Sequence, residues 1–252
     1  MAGVQYVFGI VVSLFLFILL VVLIYLTVSR MYSPTQVGTQ LIDKPVEMSK
    51  NMTTCSGKLL TSGTEHTYSF WFFVSQWELG TGNKQIFSRS HRHNKLKVFL
   101  DSSHPNMTME IVDKNGNLVT PFHNSDDPLP DGKFMLRDIR IQGWNHISIC
   151  IWDKVMDIYM NGKLTRSFLL PVTLLSDENN GIVVGGTDDV NTFNGFMSRF
   201  IYFPRVLSPR EIYNTYLKGP AKSNLLSKDA GTKMGTEIVF AGDNSPDCGR
   251  AV

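Results

Sequence analysis

The sequence contains few groups that could react or hold a soft metal. Its three cysteines, Cys55, Cys150 and Cys248, are odd in number and widely spaced, which excludes a full set of disulfides and a Cys-x-x-Cys motif. The 24 basic and 22 acidic residues leave a formal charge of only +2. Because nucleic-acid binding requires a strongly basic surface, we expect no nucleic-acid partner.

The motifs of hydrolytic enzymes are also missing. There is no Gly-x-Ser-x-Gly nucleophile elbow, and no Glu-x-Asp-x-Glu cluster supplies the two carboxylates that glycosidases need. Glu110 and Asp113 flank a strand end without a third carboxylate, and we interpret them as a solvated edge. We predict that the protein is not an enzyme. The alternative, a hydrolase, would show polysaccharide turnover that is lost in Glu110→Gln.

Charge is absent from the first 29 residues, and the run from Val4 to Val28 consists mostly of Val, Leu, Ile and Phe before Arg30 closes it. About 25 residues at ~1.5 Å each form a helix of about 37 Å, enough to cross a hydrocarbon core of about 30 Å. We predict a transmembrane helix at residues 1–30 and a single-pass protein with the bilayer as a partner. A cleaved signal peptide is the alternative, although the run lacks a basic leader.

Two cues disagree about the side of the membrane on which the rest of the chain lies. Arg30 and Lys44 follow the apolar run and no basic residue precedes it, so the positive-inside rule places the C-terminal domain in the cytosol. Asn51 and Asn106 each begin an Asn-x-Thr glycosylation acceptor, which would be used only in a lumenal domain. We favour the cytosolic side and leave both open.

Strand-like runs dominate the rest of the chain. Residues 31–63 are polar and turn-rich, typical of a stalk followed by the first strand of a domain. The stretch HTYSFWFFV is apolar on both alternating faces, as in a central strand. Ile147, Ile149 and Ile151 share one strand face, with Cys150 as a small core residue. Asn115-Gly116 and Asn161-Gly162 each predict a type I′ hairpin turn.

One helix is well signalled, and it comes late. Ser208 and Glu211 form a capping box with Pro209 at the first helical position, and Leu207 and Ile212 are spaced for a hydrophobic staple. Many strands followed by a single helix predict an all-β fold, an antiparallel two-sheet sandwich with one short C-terminal helix. We place this domain at residues 64–220 and a polar tail at 221–252.

These residues resemble the concanavalin A-like, laminin-G-like jelly-roll family. The matching pieces are HTYSFWFFV, WNHISICI with MDIYMNGKL, and the closing block GGTDDVNTFNGFMSRFIYFPRVLSPREIYNTYLKG. The resemblance implies a jelly roll in which Trp144 helps to fill a core between two sheets packed about 10 Å apart. It implies no single activity, because the family carries many functions on this fold.

The resemblance also implies a candidate metal site. Laminin-G-like domains can bind Ca²⁺ at a loop rim through Asp, Asn and carbonyl oxygens. The candidate ligands here are Asp188, Asp189 and Asn194, with Asp126-Asp127 as a second acidic pair. Ordinary turn residues are the alternative interpretation, and we expect no cofactor other than this Ca²⁺.

A basic segment, SRSHRHNKLK (Ser88 to Lys97), is the candidate partner-binding surface. We predict that it contacts an acidic surface on another protein or on lipid head groups through Arg89, Arg92, Lys95 and Lys97. His91 and His93 share a strand face, but no third ligand lies near them in sequence, so we do not predict zinc. Trp77 and Phe122 could stack on sugars, with core or rim packing as the alternative.

The combined pattern indicates a non-enzymatic membrane protein whose jelly roll is an interaction or scaffold module. One N-terminal span, a short stalk and one such domain resemble proteins of large membrane-containing DNA viruses, in which such domains can tie an internal membrane to the capsid shell. The resemblance implies a minor virion protein whose domain faces capsid proteins. The alternative is a lectin-like receptor module that binds carbohydrate, with or without Ca²⁺.

Overall fold

The computed structural model describes residues 2–32, 38–48, 54–55, 63–79, 82–119, 134–176, 181–186, 191–221 and 250–251. The chain divides into two compact units, Met1–Gln36 and Val37–Val252. The first contains helix α1 (Ala2–Tyr32), and the second contains the strands and helix α2 (Pro209–Leu217).

Helix α1 corresponds to the segment that the sequence predicts to span a membrane. Its described side chains, from Ile10 to Leu26, are apolar at nearly every position, and the large apolar ones are 40% to 70% exposed. Within the described parts of the chain, no helix has both the length and the apolar character needed to cross a membrane. The predicted transmembrane helix is therefore not found. The side chains of Val4, Val28 and Arg30 lie outside the described residues.

Fourteen strands are described in the second unit. In chain order they are β1 (Thr39–Ile42), β2 (Val46–Glu47), β3 (Thr54–Cys55), β4 (Glu65–Gln76), β5 (Lys84–Ser90), β6 (Asn94–Leu100), β7 (Met107–Asp113), β8 (Phe134–Leu136), β9 (Trp144–Trp152), β10 (Val155–Met160), β11 (Lys163–Leu169), β12 (Ile182–Val184), β13 (Asn194–Phe203) and β14 (Arg250–Ala251). They form an eight-stranded sheet, ordered β11-β10-β9-β4-β13-β1-β14 with β2 beside β13, and a six-stranded sheet, ordered β3-β12-β5-β6-β7-β8.

The two sheets enclose one large apolar core. In β4 the inward face carries Tyr68, Phe70 and Phe72, all fully buried. The inward face of β6 carries Leu96, Val98 and Leu100. All the ladders between these strands are antiparallel, as the pairing of β4 with β9 and β13 illustrates. The predicted all-β, two-sheet antiparallel sandwich with a short C-terminal helix is confirmed.

The outer face of the eight-stranded sheet carries a second, smaller layer. Ile147, Ile149 and Ile151 take the inward face of β9, so the alternating strand geometry turns Trp144 and Cys150 outward. Trp144 packs against Phe73 with ring centroids 5.7 Å apart and is half-buried. The expectation that Trp144 fills the core between the sheets is therefore wrong.

Helix α2 covers part of this outer layer, and its ends form as predicted. Ser208 Oγ accepts a hydrogen bond from the Glu211 N–H, and Glu211 Oε2 accepts one from the Ser208 N–H at 2.8 Å. Leu207 and Ile212 are buried in one cluster that also contains Cys150. The capping box and the staple are both confirmed.

The two Asn-Gly turns differ. Asn161 and Gly162 both have positive φ, 51° and 78°, as a type I′ turn requires. At the other site only Gly116 has positive φ, 85°. There the Asp113 carboxylate accepts hydrogen bonds from the N–H groups of Asn115 and Asn117, both at 2.8 Å. The type I′ prediction is wrong at this turn because a side-chain-capped turn takes its place.

Candidate functional site

A cleft of about 730 Å³ opens on the outer face of the six-stranded sheet. Its floor is a row of three side chains, Phe99 of β6, Thr108 of β7 and Met135 of β8. They lie side by side because the ladders pair Phe99 with Thr108 and Thr108 with Met135. The inward neighbours of these residues fill the core, so the cleft has a rigid base.

Two loops form most of the wall. The β6–β7 loop contributes Asp101, Ser102, His104, Pro105 and Asn106, and the segment after β8 contributes Arg137 and Asp138, with Asn83 completing the lining. One backbone hydrogen bond closes the β6–β7 loop, and a second joins this loop to the segment after β8. The Asp101 N–H donates to the Asn106 carbonyl at 3.0 Å, and the Ile139 N–H donates to the Pro105 carbonyl at 2.9 Å.

The wall offers both hydrogen-bond donors and acceptors. Asp101 Oδ1 accepts from the Ser103 N–H at 2.9 Å and from Ser103 Oγ at 3.0 Å. Burial acts to raise the pKa of Asp101, but the hydrogen bonds from Ser103 together with the interaction with His104 outweigh it and lower the pKa, which keeps the carboxylate ionised. The lining carries the carboxylates of Asp101 and Asp138 and the guanidinium of Arg137, so charges of both signs face the cleft. Its volume lies within the range of ligand sites, about 300–1,000 Å³.

Asn106, one of the two predicted glycosylation acceptors, lies on the wall of this cleft and is half-buried. Its partner in the acceptor triplet, Thr108, forms part of the floor and is 2% exposed. A glycan attached to Asn106 would therefore begin at the cleft itself. The other acceptor, Asn51, lies outside the described residues.

The structure places the four residues of the predicted basic surface in different environments. Arg92 is exposed, and Lys95 and Lys97 are half-buried on the outer face of β6, where Lys97 pairs across the ladder with Glu110. Arg89 is 0% exposed, because it lies on the same face of β5 as Phe87, which packs in the core. The inclusion of Arg89 in a surface patch is therefore wrong.

Arg89 lies in a buried polar cluster that includes His66, Tyr68, His91 and Tyr202. The His66 and His91 rings stack at 5.2 Å between centroids. Burial lowers the pKa of His91 to about 3 and the pKa of His66 well below its ordinary value, with Arg89 adding to both shifts. Both imidazoles are thus neutral near pH 7.

A second buried cluster contains a serine and a histidine within hydrogen-bond distance, as a catalytic pair would. Ser69 Oγ lies 3.0 Å from His146 Nε2, and Ser148 Oγ donates to Ser69 Oγ at 3.1 Å. All three residues are 0% exposed, and Tyr216 of α2 packs over the imidazole with ring centroids 5.8 Å apart. Burial also lowers the pKa of His146 to about 3. Among the described residues, this pair is closed off from solvent.

The remaining candidates are placed less completely. Asn194 is the first residue of β13, while Asp188, Asp189, the Asp126-Asp127 pair and Phe122 lie outside the described residues. Among the described residues, no group of three or more His, Cys, Asp or Glu side chains could hold a metal ion. Trp77 is half-buried and packs against the core, with Lys84 Nζ 5.8 Å from its ring centroid.

Sequence reasoning missed the cleft. The available signal was the loop DSSHPN at residues 101–106. It groups a carboxylate, two hydroxyls, an imidazole and an amide between two strands. That signal could not show that Met135 and Arg137, about 30 residues further on, complete the same site.

Comparisons with known proteins agree with the architecture. A model of the concanavalin A-like lectin/glucanases superfamily matches residues 48–213. No curated protein matches the chain.

Solved structures with a similar fold include binding domains of botulinum neurotoxins. A crystal structure of an HCR/D tryptophan-to-alanine mutant aligns with a TM-score of 0.51 and 15% identity, covering 69% of this chain and 42% of that one. The binding domain of botulinum neurotoxin DC aligns over 62% of this chain and 36% of its own, both with SialylT (TM-score 0.45, 15% identity) and with rat synaptotagmin II (TM-score 0.44, 15% identity). The chain thus spans less than half the length of these structures, and the likeness concerns the fold alone.

Proposed function

We propose a function for this chain, which belongs to the concanavalin A-like lectin/glucanases superfamily: it is a non-enzymatic interaction module that binds a neutral oligosaccharide. The cleft above Phe99, Thr108 and Met135 is the binding site. The observation that carries the proposal is this preformed cleft, whose wall combines carboxylate, amide, hydroxyl, imidazole and guanidinium groups around an apolar floor.

The mixture of hydrogen-bond donors and acceptors in the cleft favours a neutral polyhydroxyl ligand. Asp101 and Asn106 supply acceptors for sugar hydroxyls, and Arg137, Asn83 and Asn106 supply donors. Two carboxylates beside one guanidinium disfavour an anionic ligand, and the mixture of donors and acceptors suits the hydroxyl groups of a neutral sugar. Phe99 is 6% exposed and offers little surface for stacking, so most of the specificity must come from hydrogen bonds.

A non-enzymatic role is supported by the placement of the reactive groups. The Ser69–His146 pair is fully buried. Burial raises the pKa of Cys150 to about 11, so its thiol stays protonated and weakly nucleophilic at neutral pH.

Binding is tested with a panel of neutral oligosaccharides and the purified full chain, by saturation-transfer NMR and titration calorimetry. We expect binding to be lost or weakened at least tenfold in Asp101→Asn and in Arg137→Gln. Glu65→Gln, which alters an exposed carboxylate at the start of β4, is the matched control and should bind as the wild type does. Equal binding by Asp101→Asn, Arg137→Gln and the wild type would exclude the cleft as the site.

A second candidate function is the scaffold role that the sequence predicts, with the domain attached to a bilayer and contacting other proteins, capsid proteins among them. Support for it comes from the uncharged run of residues 1–29 and from the exposure of the apolar side chains between Ile10 and Leu26. Exposed apolar surface of this extent is unusual on a soluble monomer. We propose that this segment attaches the chain to a membrane.

Membrane attachment is tested by fractionating cells that express the full chain and a chain lacking residues 1–36. The full chain should sediment with the membranes at physiological salt, whereas the shortened chain should stay in the supernatant. Recovery of the full chain in the supernatant would exclude this candidate. If the full chain is membrane-bound, chemical crosslinking between this chain and a shell protein within assembled particles would test the capsid contact.

A further inference from the structure

Arg89 places a positive charge in the core without an anionic partner among the described residues. Its guanidinium carbon lies 4.3 Å from the centroid of the Tyr202 ring, and Nη1 donates to Tyr68 Oη at 3.3 Å. Within the described chain, the Nε and Nη2 groups have no hydrogen-bond partner. Buried charges in proteins are normally paired, because leaving one unpaired is costly.

The residues around Arg89 share this deficit. His66 Nε2, the ring nitrogens of His91 and Tyr202 Oη are buried and have no hydrogen bond of full geometry among the described residues; the Leu175 backbone lies near His91, and the Tyr202 hydroxyl lies near Arg89. His66 Nδ1, by contrast, lies 3.3 Å from Ser176 Oγ. Buried polar groups nearly always have well-formed hydrogen bonds, so a cluster of under-satisfied polar atoms around one buried charge points to a bound ligand.

The kind of species follows from the kind of atoms. The two free guanidinium nitrogens are donors only, each neutral imidazole keeps one N–H, and the Tyr202 hydroxyl can donate. The cluster therefore has more donors than acceptors and carries one positive charge. A water molecule could accept some of these hydrogen bonds, but it would leave the charge uncompensated. A small anion satisfies both requirements.

We propose that Arg89, His66, His91 and Tyr202 bind a small monovalent inorganic anion of the halide class, held between the two sheets. The residues that would contact it are at most 5% exposed, which excludes a large ligand. The anion acts as a structural ligand of the sandwich, because it joins Arg89 of the six-stranded sheet to His66 and Tyr202 of the eight-stranded sheet. This site is separate from the outer cleft and does not depend on its ligand.

The direct test is a crystal structure of the full chain grown in bromide, with data collected at the bromine absorption edge. We expect an anomalous peak within contact distance of the Arg89 guanidinium and the His91 ring. Water alone in the cluster, or a carboxylate of the chain itself against Arg89, would overturn the proposal.

The test in solution measures urea unfolding in sodium chloride and in sodium gluconate at equal ionic strength. When chloride rises from zero to ten times its dissociation constant, the folding equilibrium constant should rise about elevenfold. Arg92→Met, which removes an exposed guanidinium from the same hairpin, should keep this response, and Arg89→Met should lose it. A chloride response that persists in Arg89→Met would refute the assignment. If Arg89→Met does not fold, the bromide peak in the wild type decides.

Discussion

Lowering the pH from 7 to 5 should destabilise this protein through His146, which is fully buried in β9. Burial lowers the pKa of His146 to about 3 in the folded protein, whereas an unfolded histidine has a pKa of about 6.5. The unfolded chain therefore takes up the proton first as the pH falls. The stabilising contribution of neutral His146 is complete above about pH 7, and it is lost progressively between pH 6.5 and pH 3.

The size of the effect follows from the two pKa values. Between pH 7 and pH 5 the unfolded imidazole becomes almost fully protonated while the folded one stays neutral, which lowers the free energy of unfolding by about 2 kcal/mol. His66 and His91 add to the total acid sensitivity in the same direction, because burial also lowers the pKa of each. A matched variant is therefore needed to isolate His146.

The assay is urea unfolding of the wild type, His146→Gln and His93→Gln at pH 7 and pH 5, at constant chloride. The wild type and His93→Gln, which alters an exposed imidazole, should lose about 2 kcal/mol more than His146→Gln. NMR of the His146 ring should show no titration between pH 7 and pH 5. Equal losses in all three proteins, or titration of that ring near pH 6, would refute the reasoning.

Two substitutions and one labelling experiment test other parts of the fold. A hydrogen bond from Arg205 lowers the pKa of Glu211 to about 2, so Glu211→Gln should cost about 1 kcal/mol at pH 7 in urea unfolding, and the cost should fade as the pH drops from 4.5 towards 2. Gly195→Ala would place a Cβ 1.9 Å from the Phe73 carbonyl oxygen and should lower stability by about 1–3 kcal/mol or more; an unchanged urea midpoint would contradict this close approach. Cys150 should resist iodoacetamide in the native protein and react after unfolding, as peptide mapping would show; rapid native labelling would contradict its burial.

Short-range conformational preferences in the sequence determined much of the sandwich. The capping box of Ser208 and Glu211 depends only on residues three apart, and the type I′ turn at Asn161-Gly162 depends on two neighbours. The inward face of β9 follows from the alternation of its isoleucines. Such features can be predicted from the sequence because short-range geometry and backbone preference decide them.

The residues of the candidate binding surface could be predicted from such short-range preferences only in part. The sequence drew attention to the segment from Ser88 to Lys97, but it could not show that Arg89 turns inward. The register of β5 changes between Gln85 and Phe87, and a shift of one residue in a strand exchanges its two faces. The turn at Gly116 was also misjudged, because the Asp113 side chain competes with the expected backbone geometry.

By itself the sequence determined where the central strands, the Asn-Gly turns and the late helix occur, since each depends on neighbouring residues. Only the tertiary structure decided which distant side chains meet. The ladders that align Phe99, Thr108 and Met135 created the outer cleft, and the closure of one sheet over the other enclosed Arg89 beside Tyr202. The physical reason is that strand pairing and sheet packing join residues far apart in the chain, at distances that no local pattern encodes.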